Sequence, residues 1–217
     1  MLHSNHSISH TSGKNNYSRK AYHHGNLKKA LITKALDIIR EEGVAGLSLR
    51  KAARRVGVSH AAPAHHFGDL VGFLEAIAEE GFQLLLQEME GAVNQLSDAD
   101  PLTRLRTIGM SYITFALEHV DYFKVMHCAR LAEKSLFQGL DSGRRKVYQQ
   151  LVNCAADCHR CQLITADDPI KAGLFVWITI HGYAVLAVNG QMDDKGFQTD
   201  DGRLAEMVIN MVCSKLQ

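Results

Sequence analysis

Between Ser48 and Asp69 the chain reads SLRKAARRVGVSHAAPAHHFGD, and the glycine at its centre limits what this part can become. Leu49, Ala52, Ala53 and Val56 recur at helical spacing before Gly57 turns the chain. Ser59 is placed to cap a second short helix, His60 to Phe67, and Asp69 to open a longer one through Phe73, Leu74, Ile77, Leu84, Leu85 and Met89. Upstream, Leu27, Ala30, Leu31, Ala35, Ile38 and Ile39 give a helix from Asn26 to Glu42 that Gly43 stops. Two helices of about two turns, joined by a tight glycine turn and braced on both sides, form a helix-turn-helix. In that motif the second helix enters the major groove of DNA.

The second helix suits close approach more than independent stability. Ala61 and Ala62 keep its start small. Pro63, at the fourth helical position, removes an early backbone hydrogen bond while fixing the local geometry. Such a helix needs only to be held at the right angle by its neighbours.

Charge points to the same class of partner. The formal net charge of +1 conceals a division: residues 1–67 hold eleven Lys and Arg against Asp37, Glu41 and Glu42, a net +8, so the remainder stands at −7. Clustered cations displace counterions from phosphates, although a solvated basic face would look the same by count alone. Residues 1–20 are polar, rich in Ser, Asn and His, and are expected to form a disordered basic arm carrying Lys14, Arg19 and Lys20.

The rest of the chain, with 46% hydrophobic residues overall, can bury a substantial core. Ala172 to Val188 is almost uninterrupted apolar sequence, but it holds His181, follows the helix start Asp167-Asp168-Pro169, and is short for a ~20-residue membrane span. It is therefore expected to be a helix buried on most of its circumference, with no membrane partner. Five cysteines, an odd number, and an N-terminus without an apolar signal region favour a reducing, cytoplasmic location.

The run YHHGNLKKALITKALDIIREEGVAGLSLRKAARRVGVSHAAPAHHFGDL, from Tyr22 onward, resembles the DNA-binding domain of TetR-family transcriptional regulators. The similarity is to the branch with a Tyr-His-His-Gly start and a Ser-His-Ala-Ala-Pro recognition helix. Trp177-Ile-Thr-Ile-His181-Gly182 is similar to the Trp-x-x-x-His-Gly signature of the C-terminal domain paired with that branch. The resemblance implies an all-α protein: the arm over 1–20, a three-helix DNA-binding domain over 21–74, and a larger helical ligand-binding and dimerisation domain over 75–217. It further implies a homodimer formed through the last two helices, for which Ala172–Val188 and the stripe Leu204, Met207, Val208, Met211 and Val212 supply apolar surface. A small-molecule effector would enter the body, with Tyr112, Phe115, Met126, Trp177 and His181 as its expected lining. The implied function is a ligand-responsive regulator, in the first instance a repressor, released from a near-palindromic operator by that effector; no cofactor is implied.

The departures from the family matter as much. Members usually place a tyrosine at the position of Ala64, an arginine at His65, and a lysine or arginine at Leu70, so three anchoring groups are missing or weakened. Ser48, Ser59, Arg50, Lys51 and His66 then remain as candidates for phosphate, and His60, Ala61 and His65 for base edges.

A rival constellation is Cys154, Cys158 and Cys161, at i, i+4 and i+7, with His127-Cys128 able to join them. On one helix face these thiols could bind metal or sense oxidants. With Val147 and Leu151 they equally form an apolar stripe of small core residues. Enzyme readings find no support: the sequence has no glycine-rich phosphate loop, no nucleophile elbow, no His-Glu-x-x-His and no paired Glu-x-x-His.

Overall fold

The computed structural model describes residues 16–131, 142–165, 168–192 and 202–216, with side chains of the first helix described from Leu27. Nine α-helices are described, and no strand occurs among the described residues. They are α1 (Asn16–Glu42), α2 (Leu49–Val56), α3 (Ala61–Phe67), α4 (Leu70–Asn94), α5 (Pro101–Glu118), α6 (Val120–Met126), α7 (Ser142–Arg160), α8 (Pro169–Val188) and α9 (Arg203–Leu216). The expected all-α architecture is present. Residues 1–15 of the expected arm lie outside the described residues, and residues 16–20 belong to α1, which begins well before Asn26.

Local chemistry sets the helix ends. Gly43 and Gly57 both adopt positive φ, 74° and 78°, a conformation that residues with a Cβ resist. Gly57 lets its own amide and that of Val58 close on the carbonyl of Ala53, at 2.9 and 3.0 Å, ending α2. Ser48 Oγ accepts the Lys51 amide (3.2 Å) and Asp69 Oδ1 the Gly72 amide (2.8 Å), as their cap positions require. Asp100 and Asp168 cap α5 and α8, each followed by proline at the first helical position. Two details of α3 differ from expectation. The helix starts at Ala61, and Ser59 contributes its carbonyl, not its hydroxyl, to the turn, accepting the Ala62 amide at 3.0 Å. Pro63 is thus the third residue of the helix, where the missing N–H would have had no intrahelical partner anyway.

Helix α5 is the hub of the body and packs against α4, α6, α7, α8 and α9. Its Leu105, Tyr112, Ile113, Phe115 and Ala116 are buried, each larger side chain contributing about 1.5–3 kcal/mol by leaving water. The boundary expected at residue 74 falls inside α4, which runs unbroken from the helix-turn-helix unit into the body. At Gly81 of α4, an added Cβ would lie 2.8 Å from Met126 Sδ and 3.1 Å from Tyr122 Cδ1. That absence of a side chain is what lets α6 lie so closely on α4.

The expectation for Ala172–Val188 needs correction. The inner side of α8 is buried through Ala172, Val176, Ile180, Tyr183 and Ala184. Ile170, Leu174, Phe175, Ile178 and Leu186 stand exposed. By length and composition α8 is the one helix among the described residues apolar enough to cross a membrane, yet it packs on α5, α7 and α9. On α9, Met207 and Met211 are also exposed, whereas Val212, expected in the same stripe, turns inward with Ile209 and Cys213.

Candidate functional site

The first site is the head formed by α1–α3 and the start of α4. Pro63 is buried, and Phe67 stacks on Phe73 of α4 with ring centroids 4.4 Å apart, so α3 is held from behind. Ser59, His60, Ala61, Ala64 and His65 are exposed, and His66 is half-buried with its ring edge toward His65 at 5.6 Å. Seven of the eight expected DNA-contacting residues therefore stand on the open side of the head or at the start of α2. Lys51 is the exception. Its Nζ donates to Glu42 Oε2 (2.5 Å) and to the Gly46 carbonyl (3.0 Å), turning the side chain back toward α1. Ser48 already spends one lone pair on its cap bond, which leaves its O–H free to donate.

The second site lies in the body where α5, α6, α7 and α8 meet. The hydroxyl of buried Tyr112 hydrogen-bonds His181 Nδ1 at 2.9 Å and lies 3.4 Å from His127 Nε2. The two imidazoles sit 4.5 Å apart, and Phe123 packs on His127 at 4.7 Å. Arg144 donates to the Met126 carbonyl at 2.9 Å, with its guanidinium 5.8 Å above the Phe82 ring. Burial, then the neighbouring His181 and Arg144, push His127 down to about 3; burial and Arg144 also lower His181. Both rings are accordingly neutral at physiological pH.

Trp177 stacks on the outer side of His181, centroids 5.0 Å apart and planes within 5°. Its other side faces a cleft of about 370 Å³ lined by Arg144, Arg145, Tyr148, Leu174 and Trp177. Of the five expected pocket residues, Tyr112, Trp177 and His181 are thus brought together. Of the five, Trp177 lines the cleft, while Tyr112 and His181 belong to the hydrogen-bonded cluster; Phe115 is buried against His119 (4.9 Å) and Met126 faces α4 at Gly81. His127, Arg144, Arg145 and Tyr148 were not anticipated as a group. His127 was visible only as a candidate thiol-site partner, and the α7 residues had no motif to mark them.

The three candidate cysteines are unequally buried. Cys158 is buried, Cys154 half-buried, and Cys161 exposed beyond the last residue of α7. The buried stripe of α7 is Val147, Leu151, Ala155 and Cys158. Burial pushes the Cys158 thiol up to about 12 and raises Cys154, which leaves little reactive thiolate. No group of three or more metal-ligating side chains occurs among the described residues.

Helix α6 joins the two sites. Asp121 pairs with Arg40 of α1 (2.6 Å), His119 Nε2 lies 3.0 Å from Glu88 Oε1 of α4, and the Tyr122 hydroxyl donates to Glu80 Oε1 at 2.6 Å. Beyond its far end His127 enters the Tyr112–His181 cluster.

Residues 105–212 match the family described as Tetracyclin repressor-like, C-terminal domain. No protein of curated function matches the sequence. Among solved structures, a protein with unknown function from Rhodococcus sp. RHA1 is similar at 30% identity, with 90% of this chain and 95% of that chain covered and a TM-score of 0.68. A regulatory protein in the tetR family from Rhodococcus RHA1 shares the fold at 15% identity over 88% and 96% of the two chains, TM-score 0.67. AibR in complex with isovaleryl coenzyme A and operator DNA does so at 20% identity over 88% and 97%, TM-score 0.61. The chain thus carries a Tetracyclin repressor-like C-terminal domain over residues 105–212, on an all-α fold that it shares along nearly its whole length with solved regulators of the TetR family.

Proposed function

We propose that the chain is a ligand-responsive transcriptional regulator, acting as a repressor, that binds a near-palindromic operator as a homodimer and leaves it when a small molecule occupies the body. The observation that carries this reading is α3. Seven residues are held from behind by Pro63 and Phe67, while Ser59, His60, Ala61, Ala64 and His65 face outward on a surface the fold itself does not use. A net +8 over residues 1–67 supplies the attraction to phosphate.

The exposed apolar residues of α8 and α9 support a second copy as the dimer partner. Ile170, Leu174, Phe175, Ile178, Met207 and Met211 form a face too apolar to stand in water without cost, and a two-fold axis would bury it against itself. Two α3 helices would then meet successive major-groove faces about 34–36 Å apart. The cleft beside Trp177 is the entry for the effector, and α6, tied to α1 and α4, is the link by which occupancy would change head separation.

AibR, in complex with isovaleryl coenzyme A and operator DNA, is a precedent on this fold for both kinds of partner. The test is a mobility shift of the full-length chain on the DNA upstream of its own coding sequence. A discrete complex that survives excess competitor DNA supports the reading, and smearing indistinguishable from the competitor overturns it for that site.

A further inference from the structure

We propose that the four cations of α2 are divided by flank: Arg50 and Arg54 grip the DNA backbone, while Lys51 and Arg55 brace α1 and do not touch DNA. The inference rests on the DNA-binding reading and refines it, adding Arg54 and withdrawing Lys51.

Helical geometry sorts the cations into two i, i+4 pairs about 100° apart around the axis. Ala52 and Ala53 are buried, and Leu49 and Val56 pack beside them, so the inner line of α2 has one pair on each side. Helix α1 occupies the flank of Lys51 and Arg55. Arg55 makes a two-bond pair with Glu41, Nη1 to Oε1 at 3.0 Å and Nη2 to Oε2 at 2.5 Å, and Lys51 bonds Glu42 and the Gly46 carbonyl. Both carboxylates that close α1 are thereby engaged. Arg50 and Arg54 are exposed on the opposite flank, one helical turn apart, and no carboxylate pairs with either among the described residues.

In a helix-turn-helix the first helix crosses the sugar-phosphate backbone while the second enters the groove. A guanidinium with free donors can bind phosphate in two-bond geometry and release counterions. A cation already neutralised by a carboxylate releases few, and would have to break its pair to reach DNA. The four adjacent cations look alike in sequence, and only the position of α1 tells them apart.

The experiment measures affinity of the full chain for a random-sequence duplex as salt is raised, together with the thermal unfolding midpoint. Arg50→Gln and Arg54→Gln should each flatten the plot of log affinity against log salt by about 0.9 per subunit, without lowering the midpoint. Arg55→Gln and Lys51→Gln should keep the wild-type slope and lower the midpoint. Glu41→Gln, which breaks the same brace from the other side, should lower the midpoint as Arg55→Gln does without flattening the slope. The division is overturned if Arg54→Gln leaves the slope unchanged, or if Arg55→Gln flattens it as much as Arg50→Gln. Wild-type protein with no salt-dependent affinity at all would overturn the DNA-binding reading, and this assignment with it.

Discussion

The indole of Trp177 lies flat on the imidazole of His181, one helical turn away on α8, with centroids 5.0 Å apart. It is the only tryptophan in the chain, and it forms a wall of the cleft between α7 and α8. Tryptophan emission is therefore a direct report on this site. Protonated imidazole quenches a stacked indole more strongly than the neutral ring, and burial with Arg144 nearby lowers His181. Emission should hold steady as pH falls through the ordinary histidine value of about 6.5 and drop only at lower pH. His181→Gln should abolish that drop. A quench centred at the ordinary value in wild type would show that His181 is not held neutral.

His127 makes stability depend on acid. Its folded value is depressed to about 3, so below the unfolded value of about 6.5 the unfolded chain binds a proton that the folded chain does not. The stability present above about pH 6.5 is then lost as pH falls toward 3, by up to about 1.4 kcal/mol per pH unit. Urea midpoints at pH 7.5 and 5 should differ, and His127→Gln should reduce the difference. An unchanged pH response in the variant would place the acid sensitivity elsewhere.

Ile178 and Met211 stand on the exposed apolar face of α8 and α9, 55% and 56% accessible. Introducing charge there, with Ile178→Asp or Met211→Asp, should convert the proposed dimer to monomers of 24.0 kDa by sedimentation while helical content stays the same. Operator affinity should fall with it, since each half-site would be bound alone. A wild-type monomer, or dimers unaffected by both substitutions, would mean that this face has another use.

How far the sequence reveals these features depends on whether they are local. The turn at Gly57, the caps at Ser48 and Asp69, and the stops at Gly43 and Phe67 are decided within a few residues, and they stand where their spacing puts them. Ser59 failed as a side-chain cap because His60 adopts helical backbone angles and takes the cap position. The burial of α8 was overestimated because an apolar helix reads alike whether its neighbours come from its own chain or from another. Of the cleft and the Tyr112–His181 cluster, Trp177 and His181 are legible, because i, i+4 spacing makes them neighbours on one helix. His127, just past α6, joins the cluster, and Arg144 of α7 lines the cleft, through tertiary packing that no short-range pattern encodes.

Selection of bound duplexes from a random pool, with the full-length protein and no assumed operator, bears most directly on the assignment as a dimeric DNA-reading regulator. The recovered sequences should converge on a near-palindrome whose half-sites lie about one helical turn apart or a multiple of it. Ala61→Asp, which places a negative charge on the exposed start of α3, should abolish enrichment without unfolding the protein. Recovery of unenriched, random sequence by wild-type protein, or the same enriched motif with Ala61→Asp, would contradict it.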